Sequence, residues 1–203
     1  DKLLCLFPSE PPYFTKHGID AIYIGHPAVN NLSILKNRSK LFSLIGLKDN
    51  NQKVIALLPG SRKSEVKRIL PELIDCVKIL KKKSNKSLIF LLQMASNQEK
   101  VINFILKKNK DIIILDNNKF GKLLLNNADF SILTCGTATL EYAIAGVPGV
   151  AIYKAGFLSA FIGRRIINMK NIVLPNWLLS KKVMSFLFQE KCQSEIIASS
   201  LLK

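Results

Sequence analysis

The chain has 203 residues, of which 48% are hydrophobic and 22% are charged. This composition excludes an intrinsically disordered tail and allows a sizeable core, since a domain near this length buries roughly 70% of its unfolded surface. Lysine and arginine number 30 against 14 acidic residues, giving a formal charge of +16. The charge predicts an anionic partner (nucleic acid, anionic lipid or a phosphorylated small molecule), unless it reflects a lysine-rich background spread over solvated faces.

The four cysteines are far apart in the sequence and form no Cys-x-x-Cys or Cys/His cluster. We therefore predict reduced, buried thiols in a cytosolic protein, with neither a zinc site nor a disulfide framework. The sequence has no run of about 18 uncharged apolar residues, so no transmembrane helix is predicted. The first residues lack an initiator methionine and a signal pattern, which suggests the middle of a longer protein.

Short apolar runs alternate with segments of helical periodicity along most of the chain. The runs are rich in valine, isoleucine and leucine, as in strands that are buried on both faces of a parallel sheet. They predict strands at residues 2–7, 21–24, 54–58, 88–93, 112–115, 130–133, 149–153 and 172–174. The periodic segments predict helices at residues 64–83, 97–108, 119–126, 137–145 and 157–169.

The alternation of strands and helices predicts an α/β fold with a doubly wound, mostly parallel sheet. Residues 177–203 have helical periodicity only, so we expect a helical C-terminal tail. No repeat or low-complexity linker interrupts the sequence, and a single domain over residues 1–203 is the simplest organisation. Ligands in such sheets bind where strands end and helices begin, so the junctions are the candidate sites.

The first junction contains the sequence Leu-Pro-Gly-Ser-Arg at residues 58–62. Gly60 allows close approach of the backbone to a ligand, Ser61 or Ser64 can cap the following helix, and Arg62 can bind phosphate through two nitrogens. The segment is not a Walker A loop, because Gly-Lys-Ser/Thr is absent. The alternative is an ordinary capped turn with a solvated arginine.

The second junction runs from the strand at 130–133 into Cys135, Gly136 and Thr137. Free amides at the positive end of a helix suit a diphosphate. Glu141 lies one helical turn after Thr137, where its carboxylate can accept hydrogen bonds from the vicinal hydroxyls of a sugar. The alternative is a capping threonine with a solvated glutamate, and Cys135 is as consistent with an inert thiol as with a reactive one.

Two later segments carry weaker signals. Residues 157–167 combine aromatic and aliphatic side chains with Arg164 and Arg165, which fits either an interfacial helix or a core helix with surface arginines. Asn176 follows the strand predicted at 172–174 and can cap a helix or face the other junctions. The two histidines, His17 and His26, have no acidic or serine partner nearby in the sequence, so no catalytic triad is predicted.

Five segments in this order resemble the lipid-A-disaccharide synthase family, whose members are glycosyltransferases of the GT-B architecture. The segments are FPSEP at 7–11, YIGHP at 23–27, LLPGSRKSEV at 57–66, GTATLE at 136–141 and LPN at 174–176. The resemblance implies a Rossmann-like half of a GT-B enzyme that binds the UDP-sugar donor. The N-terminal half, which supplies much of the acceptor site and the general base, would be absent, and this fragment alone would be inactive.

The resemblance implies transfer of 2,3-diacylglucosamine from UDP-2,3-diacylglucosamine to 2,3-diacylglucosamine 1-phosphate (lipid X). The products would be the β(1→6) disaccharide phosphate and UDP. The implied setting is cytoplasmic and peripheral, at the inner face of an anionic membrane, with the N-terminal half of the same enzyme as a partner. No nucleic-acid partner is expected, and a homo-oligomer is left open.

The resemblance also implies roles for individual residues. Gly60, Ser61 and Arg62 would contact the donor phosphates, with Arg62 neutralising the charge on departing UDP. In the later part of the chain, amides of Gly136 and Thr137 would bind the diphosphate, Glu141 the ribose and Asn176 the donor sugar or diphosphate. We expect no metal, no other cofactor and no catalytic residue within the chain.

Three residues depart from the family's pattern. Cys135 replaces serine, Ser9 replaces phenylalanine and Lys154 replaces arginine, and the first of these changes touches the donor site. A UDP-N-acetylglucosamine 2-epimerase or another GT-B UDP-sugar enzyme is the alternative, since such enzymes share the Gly-Thr-x-x-x-Glu junction. A basic nucleic-acid-binding module is a third reading, but the lysines are scattered and no recognised module is present.

Overall fold

The computed structural model describes residues 1–30, 36–107, 109–156, 160, 165 and 172–202, except the side chains of Asn30 and Ser96. The chain divides into two compact units, Asp1–Ile34 and Leu35–Lys203, where the sequence predicts one domain. Within the described ranges, no helix is both long and apolar enough to cross a bilayer.

The first unit is a small parallel pair of strands with two short helices. Its elements are β1 (Leu3–Cys5), α1 (Pro11–Thr15), β2 (Ala21–Tyr23) and α2 (Pro27–Asn30). One face of the pair buries Cys5 and Ala21, whereas Leu4 and Ile22, which are paired on the other face, are 56% and 39% exposed. At the start of α2, Nδ1 of His26 accepts the Ala28 N–H at 3.1 Å, so this histidine stabilises a turn.

The second unit is a six-stranded, all-parallel sheet with helices on both faces. Its strands are β3 (Lys53–Leu58), β4 (Leu88–Met94), β5 (Ile112–Asp116), β6 (Phe130–Thr134), β7 (Gly149–Tyr153) and β8 (Ser185–Phe188). The described α-helices are α3 (Arg38–Leu44), α4 (Lys63–Lys83), α5 (Glu99–Leu106), α6 (Asn117–Asn127), α7 (Thr137–Ile144), α8 (Leu174–Leu178) and α9 (Ser194–Leu201). A 3-10 turn, Ser96–Gln98, precedes α5, and a second, Gln189–Lys191, follows β8.

The spatial order of the strands is β5-β4-β3-β6-β7-β8, and every neighbouring pair is parallel. Numbered along the sheet's own strands, this is the order 3-2-1-4-5-6 of dinucleotide-binding folds, which reverses direction between β3 and β6. The predicted doubly wound parallel sheet is therefore confirmed.

Alternating residues of each strand pack against helices on opposite faces of the sheet. Ile55 and Leu57 of β3 belong to a core that also contains residues of α4, α5 and α9. The stripe predicted in the first long helix forms the centre of this core: Val66, Ile69 and Leu73 are completely buried. Helices α6 and α7 pack on β4 and β6, so both faces of the sheet are covered.

The C-terminal region differs from the sequence prediction in two ways. Residues 172–174 do not form a strand; helix α8 begins at Leu174, and Pro175, which lacks an N–H, occupies its first turn. The sixth strand of the sheet is β8, which pairs with β7 inside the tail that was expected to be entirely helical. The helix predicted at 157–169, including Arg164, lies outside the described residues apart from Ala160 and Arg165.

Candidate functional site

The reversal of strand order places two loops side by side at the carboxyl ends of β3 and β6. Parallel sheets of this type bind ligands in the crevice at that position, because the helices that follow the two strands lie on opposite faces. The side-chain hydroxyl of Thr134, at the end of β6, donates a buried 2.9 Å hydrogen bond to the carbonyl of Leu58, at the end of β3. The two loops are thus joined directly at their base.

A cavity of about 450 Å³ lies over this point, a volume suited to a small-molecule ligand. Six of the seven residues that the sequence selected line it: Gly60, Ser61, Arg62, Gly136, Thr137 and Glu141. The structure therefore brings the two predicted junctions together around one cavity, with the amino-terminal ends of α4 and α7 facing the same space.

Gly60 is required by the packing of the first loop. Its φ is +106°, a conformation that side chains rarely adopt, and a Cβ on Gly60 would lie 2.5 Å from Oε2 of Glu65. From the sequence we predict that Gly60 allows a ligand to approach the backbone closely. In the structure its close neighbour is the carboxylate of Glu65.

Arg62 is the N-cap residue of α4, so neither Ser61 nor Ser64 has the capping position that the sequence suggested. Glu65 Oε2 accepts the backbone N–H of Arg62 at 3.2 Å, and Glu65 Oε1 accepts Nη1 of the Arg62 guanidinium at 2.8 Å. The hydrogen bond with Glu65 raises the pKa of Arg62, which therefore keeps its charge. The Arg62 side chain is 76% exposed, while that of Glu65 is 8% exposed.

Gln98 supports the same loop from beneath and was not found from the sequence. It is 4% exposed, and its Nε2 donates to the carbonyl of Ser61 at 2.9 Å. Gln98 lies in the turn after β4, 37 residues from Ser61, and no local pattern indicates this contact.

The second loop leads into α7 with unpaired backbone donors. Gly136 is the N-cap residue, its φ of 164° is extended, and a Cβ there would meet no atom within 4 Å. The Thr139 hydroxyl donates to the Gly136 carbonyl at 2.6 Å and fixes the first turn. In the described part of the chain no acceptor takes the N–H groups of Thr137 and Ala138, which is the arrangement that binds anions at helix N-termini.

Cys135 is an uncharged donor at the edge of this cavity. Its Sγ donates to the carbonyl of Ile172 at 3.2 Å, and burial raises the pKa of the thiol to about 12. The thiol is therefore protonated at neutral pH, which favours an inert thiol over a reactive nucleophile.

The carboxylate of Glu141 lies one turn into α7 and faces the cavity. It is half-buried, and no donor in the described ranges hydrogen-bonds to it. An acceptor of this kind is available to ligand hydroxyls. Among the described residues, no group of three or more histidine, cysteine, aspartate or glutamate side chains could hold a metal ion.

Asn176 does not line this cavity. Its Oδ1 accepts the N–H groups of Val183 and Met184, each at 2.9 Å, and its Nδ2 donates to the Met184 carbonyl at 2.8 Å. The amide thus closes the connection between α8 and β8. Lys154, where the resemblance implies an arginine, forms a 2.6 Å ion pair with Glu72 of α4.

Comparison with known proteins places the chain in a family. The family model described as lipid-A-disaccharide synthetase matches residues 1–203. The chain is 33% identical to the lipid-A-disaccharide synthase of Francisella philomiragia over 196 residues, which are 95% of this chain and 51% of that protein. It is 34% identical to that of Francisella tularensis subsp. novicida over 99% of this chain and 53% of that protein, and 32% identical to that of Acinetobacter baylyi over 100% and 53%.

The chain thus spans about half the length of the curated relatives that it matches. Among solved structures, it resembles E. coli ADP-heptose lps heptosyltransferase II with a TM-score of 0.58 and 12% identity, over 81% of this chain and 50% of that one. That similarity concerns the fold alone and agrees with the doubly wound sheet. The family match over the whole sequence and the curated relatives confirm the resemblance drawn from the five motifs, and the chain belongs to the lipid-A-disaccharide synthetase family.

Proposed function

We propose that this chain is the donor-binding half of a glycosyltransferase that forms the lipid A disaccharide. The enzyme would transfer 2,3-diacylglucosamine from UDP-2,3-diacylglucosamine to lipid X, giving the β(1→6) disaccharide phosphate and UDP. The family and the names of the relatives support this reaction. They do not favour the alternative, a UDP-N-acetylglucosamine 2-epimerase.

One observation carries the assignment of the donor site. Arg62, the unpaired amides at the start of α7 and the carboxylate of Glu141 face one cavity at the switch point of the sheet. A nucleoside diphosphate has the matching chemistry, since its diphosphate is anionic and its ribose carries two hydroxyl donors. The diphosphate would lie between Arg62 and Thr137, with the ribose at Glu141.

Arg62 would act on the leaving group. Negative charge grows on the UDP oxygen as the bond to the sugar breaks, and a fixed cation next to it stabilises that charge. Glu65 holds the backbone and one nitrogen of Arg62, so the exposed remainder of the guanidinium can turn to phosphate without losing its anchor. Gln98 would keep the carbonyl of Ser61 away from the phosphates by binding it on the other side.

The general base and much of the acceptor site would come from the half of the enzyme that corresponds to the part of its relatives that this chain does not match. The uncovered face of the first unit supports such a partner, because parallel strands are normally covered on both faces and Leu4 and Ile22 are exposed. We expect the 203-residue chain alone to bind UDP but not to transfer sugar.

Calorimetry with UDP tests the donor site directly. Arg62→Ala and Glu141→Ala should each weaken binding roughly tenfold to a hundredfold, because each removes a charged hydrogen-bonding group. Lys63→Ala is the matched control: it removes the same charge one residue further along, outside the lining of the cavity, and should change the affinity less than about threefold. Folded protein that does not bind millimolar UDP would exclude the donor site.

Turnover tests the reaction. The chain mixed with a polypeptide supplying the other half should consume UDP-2,3-diacylglucosamine in the presence of lipid X and release UDP. Turnover of unacylated UDP-N-acetylglucosamine alone would support the epimerase instead. Retention on DNA that persists at 0.2 M salt would support the nucleic-acid reading.

We further propose a cytoplasmic enzyme bound peripherally at the inner face of the membrane, where its acylated substrates would lie. The charge of +16 supports attraction to anionic lipid. Cosedimentation with vesicles tests this proposal. Binding should require anionic lipid and should weaken as the salt concentration rises from about 0.05 M to about 0.3 M. Equal binding to zwitterionic vesicles would contradict it.

A further inference from the structure

A second cavity of about 360 Å³ adjoins the first and shares Gln93, Asn117 and Glu141 with it. The present inference rests on the proposed donor site. If the diphosphate lies in the first cavity and the ribose at Glu141, the base projects from the other side of the ribose, toward the second cavity. The side chains there would then contact the edge of the base.

Three side chains form a chain of hydrogen bonds along the wall of this second cavity. The hydroxyl of Tyr142 donates to Oε1 of Gln93 at 3.3 Å, and Nε2 of Gln93 donates to Oδ1 of Asn117. Tyr142 is 1% exposed, and burial raises the pKa of its hydroxyl, so the group remains a donor at all physiological pH values.

In the described ranges Oε1 of Gln93 is the acceptor recorded for the buried Tyr142 hydroxyl. A buried hydroxyl that did not donate would leave its proton unpaired at a cost in free energy, so donation by Tyr142 sets the direction of the bonds. Because Tyr142 donates to the oxygen of Gln93, the nitrogen of that amide faces Asn117. The oxygen of Asn117 is occupied in turn, so its Nδ2 group is left for a ligand. In the described ranges no other acceptor takes that group. The wall thus presents N–H donors to the cavity.

Gly121 makes room for this arrangement. It lies within α6, and a Cβ there would overlap Oδ1 of Asn117 and approach Nε2 of Gln93 to 3.4 Å. Alanine is the better residue in a helix interior, so local helix stability does not account for glycine at this position. Glycine at position 121 is instead explained by the side chains of Asn117 and Gln93, which occupy the space that a Cβ would need.

We propose that the Tyr142–Gln93–Asn117 chain selects the base of the nucleoside diphosphate, accepting an edge that carries a carbonyl oxygen and disfavouring one that carries an amino group. Uracil and cytosine are a matched pair for this distinction. Uracil carries a carbonyl oxygen at C4 and an N–H at N3, whereas cytosine carries an amino group at C4 and an unprotonated nitrogen at N3. Asn117 is exposed, so the preference for UDP over CDP should be moderate, roughly fivefold to tenfold.

The test is the ratio of UDP to CDP affinity, measured by calorimetry on the 203-residue chain and on variants. Asn117→Asp replaces the donor with an acceptor of the same shape and should bring the ratio to one or reverse it. Tyr142→Phe removes the donor that orients Gln93, and the ratio should fall toward one while UDP still binds. Gly121→Ala displaces the amide pair and should also lower the ratio.

Asn103→Asp is the matched control, because it makes the same change at an exposed asparagine of α5 that lines neither cavity. Both nucleotides carry the same diphosphate charge, so an added carboxylate alone should weaken both equally and leave the ratio unchanged. A ratio that stays at its original value in Asn117→Asp and Tyr142→Phe, or that changes as much in Asn103→Asp, would overturn the inference. Absence of UDP and CDP binding would instead contradict the proposed function.

Discussion

Glu65 holds Arg62 by both of its carboxylate oxygens, one on the guanidinium at 2.8 Å and one on the backbone N–H at 3.2 Å. The carboxylate is buried and the rest of the arginine side chain is exposed. Arg62 is therefore held at its backbone N–H and at one guanidinium nitrogen, while the rest of the guanidinium is open to solvent. Gly60 belongs to the same arrangement, because the carboxylate occupies the place where a side chain of Gly60 would be.

Gly60→Ala should destabilise the protein by about 2–4 kcal/mol, since it combines an unfavourable φ with an overlap on Glu65. Gly146→Ala is the control for the backbone term: its φ is +71°, and a Cβ there meets nothing within 4 Å, so its cost should be about 1–2 kcal/mol. Urea denaturation measures both values. Equal costs would mean that the contact with Glu65 does not select glycine.

Gly136→Ala should lower the affinity for UDP while leaving the stability of the fold nearly unchanged. The extended φ and the open space around an added methyl group predict a loss of about 1 kcal/mol or less in the free energy of unfolding. The methyl group would instead enter the cavity, where the diphosphate is proposed to approach the amides of α7. UDP affinity should therefore fall roughly tenfold or more, the loss expected for one charged hydrogen bond. A stable variant with unchanged affinity would place the diphosphate elsewhere.

Glu72 ties three parts of the second unit together. Its Oε1 accepts Lys154 Nζ at 2.6 Å after β7, and its Oε2 accepts the Ser194 N–H at 3.0 Å at the start of α9. Glu72→Ala should lower the free energy of unfolding by about 1.5–3 kcal/mol. Asp75→Ala, which breaks an exposed ion pair with Lys78 on the same helix, should cost less than about 1 kcal/mol. Similar costs would contradict a specific role for Glu72.

Acid should destabilise the protein partly through Asp129. Burial alone would raise the pKa of this carboxyl, but the Val54 N–H, Lys53 and Arg38 together hold the pKa below its ordinary value. The stabilisation is complete above the unfolded pKa of about 3.9 and is lost as the pH falls through the lower folded value. Asp129→Asn should therefore cost about 1.5–3 kcal/mol at pH 6 and progressively less below pH of about 3.9.

Urea denaturation of the original protein and of Asp129→Asn over this pH range measures the difference. A difference that remains constant with pH would show that the aspartate acts by shape and not by charge.

Cys135→Ser introduces the residue that the resemblance implies before Gly136 and Thr137. A serine hydroxyl can donate to the Ile172 carbonyl as the thiol does, so UDP affinity should change less than about threefold. In the native protein the thiol should react slowly with a disulfide reagent at pH 8, because burial raises its pKa to about 12, and rapidly in urea. Fast native labelling would contradict a half-buried, protonated thiol.

Most strands of the sheet could be predicted from the sequence, because strands that are buried on both faces of a parallel sheet consist of continuous runs of apolar residues. The strand predicted at 149–153 matches β7 in both bounds, and 54–58 differs from β3 by one residue. Strand β8 was missed, since its Ser-Phe-Leu-Phe lies at the edge of the sheet and lacks β-branched residues. Residues 172–174 have the composition of a strand, yet Pro175 and the tie from Asn176 turn the chain into a helix.

For the site, local motifs identified the residues that face the cavity but not those that support them. Gly60, Arg62 and Glu141 stand beside turns and helix starts that the sequence displays. Gln98 is brought to Ser61 by the pairing of β4 with β3, and Gln93 to Asn117 by the pairing of β4 with β5. Contacts made across strands depend on the order of the sheet, which no single segment encodes.

The bond between Thr134 and Leu58 has a consequence for the energetics of binding. It fastens the two loops at the place where their helices separate to opposite faces, so neither loop can swing away from the other at its base. A ligand entering here finds its recognition groups already assembled, and little conformational entropy is lost in arranging them. Affinity is then governed mainly by the exchange of water for protein contacts.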